Sequence, residues 1–194
     1  MAAAKRTSTA RPSTAQYGVP GLGKKDGGLA IEILQDRLNA LNDLALTLKH
    51  IHWNVVGPQF ISVHTMLDPQ VNSVRLMVDE TAERIATLGG SPSGTPGALV
   101  AARSWDDYSL GRDSALAHLG ALDVVYAGIL EAHRKAIAAT EEADPVTEDV
   151  LIQQAGQLEQ YQWFVRAHLE DPRGSLATSG ARTERQAAAR TREK

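Results

Sequence analysis

The apolar residues of this chain recur in four long runs, each at helical spacing. From Leu29 to about Val56, the positions Ile31, Leu34, Leu38, Leu41, Ala45 and Leu48 alternate in steps of three and four, which lines them up as one stripe on an α-helix. His52 is the next position on that stripe. Gly57-Pro58 ends the run, because Gly suits the left-handed position after a helix and Pro cannot continue the hydrogen-bond ladder. A second stripe passes through Leu67, Val71, Val74, Val78, Ile85 and Leu88 and stops at Gly89-Gly90-Ser91-Pro92. The turn-rich stretch Ser91 to Trp105 leaves room for a short helix at Pro96–Arg103. A third run extends from about Leu110 to Thr140 through Leu116, Leu119, Leu122, Val125, Ile129 and Ile137. Asp144-Pro145 then marks a helix start, with Asp as cap and Pro at the first position, and a fourth run reaches Leu169 through Val150, Leu151, Leu158, Tyr161 and Val165. No segment alternates with a period of two. The fold expected is all-α, a four-helix bundle with a short helix in the connection between helices 2 and 3.

Composition sharpens this. The 194 residues are 43% hydrophobic and 22% charged, with no Cys, which fits one globular domain and excludes disulfide scaffolds, thiolate metal sites and cysteine nucleophiles. Any metal must be held by nitrogen and oxygen. The N-terminus lacks the apolar core of a signal peptide, and no run approaches a membrane span in length, so a cytoplasmic protein is expected. The net charge of -3 hides a strong segregation. Residues 1–16 carry Lys5, Arg6 and Arg11 without an acid, and residues 173–194 carry Arg173, Arg182, Arg185, Arg190, Arg192 and Lys194 against Glu184 and Glu193, which leaves an acidic body at 17–172. Both ends are rich in small polar residues and read as mobile basic tails.

Six histidines and 23 carboxylates offer many sites, and geometry selects among them. With Pro58 as the turn midpoint, His52 and His64 stand six residues to either side and meet at one height of an antiparallel hairpin. His64 and Asp68 share a helix face, as do Asp79 and Glu83. Taken singly, each has a plain reading: His52 as a packed core histidine, Asp79 and Glu83 as a solvated face, Glu80 with Arg84 as an exposed ion pair. As a set they are a metal constellation, since carboxylates four apart repel without a cation between them. The fifteen residues from His64 to Asp79 span roughly 22 Å of helix, too far for one metal. An antiparallel two-fold pair solves this by setting His52, His64 and Asp68 of one chain against Asp79 and Glu83 of the other. Imidazole and carboxylate together suit iron, manganese or zinc. The Glu-x-x-His motif of a di-iron site inside one bundle is absent.

The segments His52-Trp53-Asn54-Val55-Val56-Gly57-Pro58, Phe60 to Asp68, and Asp79-Glu80-Thr81-Ala82-Glu83-Arg84-Ile85, with Trp105-Asp106-Asp107-Tyr108 and Gln162-Trp163-Phe164 in support, resemble the Dps family, the DNA-binding proteins from starved cells, in an actinobacterial wording. The resemblance covers roughly residues 28–170. It implies a ferritin-like bundle assembled as a hollow dodecamer of two-fold dimers, which oxidises Fe(II), preferentially with hydrogen peroxide, and stores ferric mineral. Carried over, the ferroxidase and iron ligands are His52, His64 and Asp68 of one subunit with Asp79 and Glu83 of its partner. Asp68, Glu83 and His52 would make the tighter iron site, and His64 with Asp79 the second. Trp53 is either an electron donor beside the site or a buried core aromatic. Glu141, Glu142, Asp144, Glu148 and Asp149 would gather into a cation pore, while His50, His118, His133 and His168 are structural. The tails, through Lys5, Arg6, Arg11, Arg182, Arg185, Arg190, Arg192 and Lys194, would bind DNA without sequence preference, placing the protein on the nucleoid. The competing reading is a structural, DNA-compacting protein whose metal site only stabilises the dimer.

Overall fold

The computed structural model describes residues 18–192. Lys5, Arg6, Arg11 and Lys194 lie outside the described residues. Helix α1 (Lys24–Asn54) is followed by β1 (Val55–Val56), α2 (Phe60–Thr87), α3 (Pro96–Ala102), β2 (Asp113–Ser114), α4 (Ala115–Thr140), α5 (Pro145–Leu169) and α6 (Glu184–Thr191). The four long helices are the expected ones. α1 starts more than a turn before Leu29, running through Gly27, which packs beside Leu22. α4 starts later than Leu110, where Ser114 caps it by accepting from the Ala117 N–H at 3.3 Å. Asp113 and the capping Ser114 form β2, which pairs in parallel with β1, Val55 opposite Asp113 and Val56 opposite Ser114. Two residues are too few for an alternation to show in the sequence.

The stripes meet in two main clusters, one in which Leu41, Leu48, Leu67, Leu119 and Leu122 are fully buried and one in which Leu34, Ile85 and Leu151 are. α4 is long and apolar enough to cross a membrane by length and composition, contrary to the expectation that no run is. Its apolar surface is used inside the bundle, around Leu119, Leu122 and Tyr126.

The clearest departure concerns residues 173–192. Expected as part of a mobile tail, they fold back and end in α6, which packs on α4 with Ala187, Ala188 and Thr191 buried. Small residues carry this contact: Leu110, Ala117 and Ala121 surround Ala188, and Gly120 lies directly under Thr191. Buried Asp123 accepts from Thr178 Oγ1 at 2.8 Å, Glu184 accepts from the Ser109 N–H at 2.7 Å, and Arg192 pairs with Asp113. Alanine-rich composition hid the docking, since alanines bury little surface yet permit close helix approach. A Cβ at Gly120 would stand 2.8 Å from Thr191 Oγ1 and 3.0 Å from the Ala187 carbonyl. Gly120→Val is therefore expected to release α6, costing about 1–3 kcal/mol from overpacking. Limited trypsin digestion would show it as faster cleavage within residues 182–192, with the long-helix core intact.

Candidate metal centre

Gly57, at φ +100°, turns the chain between α1 and α2, a conformation that glycine adopts without a Cβ penalty. The turn brings His52 and His64 together. The His52 Nδ1 donates to the His64 carbonyl at 3.0 Å, and the His64 Nδ1 donates to the His52 carbonyl at 2.9 Å. Their rings stack with centroids 3.6 Å apart. A carbonyl oxygen can only accept, so both Nδ1 atoms carry the proton, and Nε2 is the nitrogen each ring can offer to a ligand. Phe60 packs 4.9 Å from His64, centroid to centroid. Asp68, one turn beyond His64, places Oδ1 3.4 Å from His52 Nδ1.

Lys49 was not singled out in the sequence. Its ammonium donates to Asp68 at 3.0 Å and lies 5.9 Å from the Trp53 ring centroid. That hydrogen bond holds the Asp68 carboxyl below the usual carboxylate range. Lys49, His52 and Trp53 stand at i, i+3 and i+4 on α1, the one sequence signal that links Lys49 to the histidine. Trp53 is 72% exposed in the single chain, not a buried core aromatic, because its position lies off the α1 stripe.

Asp79 and Glu83 are on α2, roughly 16 and 22 Å along the helix from Asp68. Both are exposed, and among the described residues neither carboxylate has a hydrogen-bond or ion-pair partner. Also among the described residues, no group of three His, Cys, Asp or Glu side chains within one chain converges to hold a metal ion. One chain thus pairs His52 with His64 and sets Asp68 near them without closing a metal site, and it leaves Asp79 and Glu83 elsewhere.

The expected Glu80–Arg84 pair does not form. Arg84 turns toward α5, where its Nη2 donates to buried Asp144 at 2.6 Å and its Nε to Thr147 Oγ1 at 3.1 Å, while Glu80 accepts from Gln154 at 3.0 Å. An ion pair shielded from water is stronger than one on an exposed face. Asp144 is spent in that pair, with its carboxyl held below its ordinary value by the hydrogen bonds from Thr147 and Arg84, which outweigh the upward pull of burial. It is therefore withdrawn from the acid cluster, of which Glu141, Glu142 and Asp149 are exposed. His118 and His133 are fully buried, His50 Nε2 donates to the Leu110 carbonyl at 2.7 Å, and His168 is exposed.

A cavity of about 730 Å3 opens away from the histidine pair, between α1, α4 and residues 104–109 and 182–185. Asp43 on its wall accepts from Trp105 Nε1 at 2.8 Å and from Arg103 at 3.3 Å, while Arg37 Nη1 and Ser109 Oγ, on the same lining, are buried without a hydrogen-bond partner among the described residues.

A family model of the ferritin-like domain matches residues 31–174. The chain is 56% identical over 178 residues to a DNA protection during starvation protein of Mycolicibacterium smegmatis, covering 92% of this chain and 97% of that one. It is 51% identical over 162 residues to the fine tangled pili major subunit of Haemophilus ducreyi, with 84% and 86% covered. The solved structure of DpsA14 from Streptomyces coelicolor superposes with a TM-score of 0.83 at 61% identity, covering 86% of this chain and 99% of that one. Fold, hairpin and relatives agree: this chain belongs to the ferritin-like Dps family, in its actinobacterial form.

Proposed function

We propose that the chain is a ferroxidase whose site is completed by a second copy, with His52, His64 and Asp68 from one subunit and Asp79 and Glu83 from the two-fold related one. The observation that carries this is the reciprocal His52–His64 hydrogen bonding through Nδ1, which leaves both Nε2 atoms uncommitted, with the Asp68 carboxylate 3.4 Å from His52 Nδ1. Two carboxylates with no partner on α2 and a half-formed imidazole site at its other end complement each other under a two-fold axis. Exposed Leu46, Trp53, Ile61 and Leu76 on the same two helices are what a water-covered surface avoids and a subunit contact uses. Assembly of such dimers into a dodecameric cage is part of the proposal.

Fe(II) is the substrate. Its approach displaces the Lys49 ammonium from Asp68, and the imidazoles bind it through Nε2. Hard carboxylate oxygens favour the ferric over the ferrous ion, so the site lowers the barrier to losing an electron. Two Fe(II) supply the two electrons that break the O–O bond of hydrogen peroxide into two hydroxides, and the ferric product passes to mineral. Anaerobic Fe(II) loading followed by a peroxide pulse, read as ferric absorbance, tests this. A wild-type protein that oxidises Fe(II) no faster than buffer would overturn it.

Non-specific DNA binding belongs to the same reading, in modified form. Arg190 donates to the Ser179 carbonyl and Arg192 pairs with Asp113, so the cations proposed for phosphates are Arg182, Arg185 and Lys194 with the N-terminal Lys5, Arg6 and Arg11. Changing these six to Gln is expected to weaken mobility shifts at low salt and flatten the salt dependence, whose slope follows the number of phosphates neutralised. An unchanged slope would remove these residues from the interface.

A further inference from the structure

The Trp105-Asp106-Asp107-Tyr108 motif is not used by the metal site, and its last residue points to a second chemistry. Tyr108 Oη donates to His118 Nδ1 at 3.0 Å, with the two rings near parallel at 15°. His118 is fully buried, and its Nε2 has no hydrogen-bond partner of good geometry. The C-terminal segment covers the pair in part: half-buried Tyr108 packs on the cluster that holds Ala188 of α6, and the carboxylates of Glu184 and Asp113 lie near its phenol. His118 also lies against the last turn of α1 at Asn54, two residues, less than one helical turn, beyond His52.

We propose that Tyr108 and His118 form a proton-coupled redox pair that quenches one-electron oxidants generated at the iron site. The inference rests on the ferroxidase reading. It is needed when peroxide meets a site holding a single Fe(II): one electron breaks the O–O bond and gives Fe(III), hydroxide and a hydroxyl radical. Tyr108 then supplies an electron to the radical, which becomes hydroxide, and passes its phenolic proton along the existing hydrogen bond to His118 Nδ1, leaving a neutral tyrosyl radical and an imidazolium. A further Fe(II) returns the electron while His118 returns the proton, so that tyrosine and imidazole are restored and two Fe(II) have been oxidised per peroxide.

The surroundings fit each charge that this step moves. Burial keeps His118 neutral and able to accept, pulling it below its ordinary value, while Asp113 opposes that shift and so favours the imidazolium once formed. Burial and the neighbouring carboxylates push the Tyr108 phenol well up, which forbids loss of the proton to water and ties proton and electron transfer together. Arg192, by pairing with Asp113, keeps that carboxylate ionised. The docked α6 packs beside the pair, leaving His118 fully buried and Tyr108 half-buried at the edge of the cavity, which is a role for the C-terminal segment that DNA contact does not require.

The test uses the full chain loaded anaerobically with one Fe(II) per subunit, mixed with peroxide and frozen within milliseconds for electron paramagnetic resonance, with ferric absorbance followed in parallel. A tyrosyl signal is expected in the wild type and in Tyr161→Phe, absent from Tyr108→Phe, and reduced in His118→Gln, while Fe(II) oxidation persists in all four. A signal that survives Tyr108→Phe, or none at all where Fe(II) is oxidised, overturns the inference and leaves the ferroxidase intact. If no Fe(II) is oxidised, the ferroxidase reading fails instead. Flash oxidation of the iron-free protein with tris(bipyridine)ruthenium and persulfate then decides the pair by itself: a radical at Tyr108 dependent on His118 supports it, and a radical elsewhere ends it.

Discussion

Chains carrying His52→Ala with His64→Ala, co-assembled with chains carrying Asp79→Ala with Glu83→Ala, are expected to recover fast Fe(II) oxidation that neither shows alone. The reason is positional. The first variant keeps the α2 carboxylates and the second keeps the histidine hairpin, so a mixed dimer contains one complete site and one empty one. Random pairing makes half the dimers mixed, and about a quarter of wild-type sites should return. Each variant alone should lose at least about a hundredfold, since even an outer hydrogen-bond partner of a metal ligand is worth 10- to 100-fold. The burst amplitude of ferric absorbance after a peroxide pulse measures the recovered fraction. Full activity in either variant would remove those residues from the site, and inactive mixed dimers would show that the two halves do not meet across subunits.

Acidification is the second large lever, and it acts through His133. Its imidazole is fully buried on α4, and burial, aided by the nearby positive charge of Arg37, pushes it down to about 4. The unfolded chain takes up a proton near the ordinary value of 6.5, whereas the folded chain does not until pH approaches 4. Stability attributable to the neutral, buried ring is therefore present above about pH 6.5 and is lost as the pH falls through that window, by about 3 kcal/mol. Asp113 and Asp144, whose carboxyls are held low by Arg192 and by Thr147 and Arg84, act in the same direction at lower pH: their contribution is present above the ordinary carboxylate value and disappears as pH drops through the folded one. Urea midpoints at pH 7 and pH 4.5 should differ strongly in the wild type and much less in His133→Gln. Parallel loss in both proteins would assign the acid lability to other groups.

Much of the architecture was legible before any coordinates. Stripes at steps of three and four can be satisfied only by burying one face of each helix, and Gly57-Pro58 and Gly89-Gly90 punctuate them for backbone reasons that hold in any context. The height match of His52 and His64 followed from counting equal steps out of one turn, and it was met because a hairpin of two stiff helices has little freedom to slip. Lys49 escaped notice because a lysine at i+3 from a histidine is ordinary on any helix, and only the crossing of α2 makes its ammonium the partner of Asp68.

Where the sequence reading failed, long-range partners had decided. Arg84 sits four residues from Glu80, a local pairing worth a few tenths of a kcal/mol, yet it reaches sixty residues along the chain to Asp144, where low polarity strengthens the charge pair. The C-terminal segment read as a tail because its alanines and arginines show no apolar stripe, and it docks because Gly120 and Ala117 on α4 leave a groove into which Ala187 and Ala188 fit. The sequence by itself determined the four helices and their order and offered the candidate metal donors, since these depend on local periodicity and donor chemistry. The tertiary structure alone decided which donors converge, which arginines remain free and that Tyr108 meets His118, because each of these depends on surfaces far apart in the chain that only packing brings together.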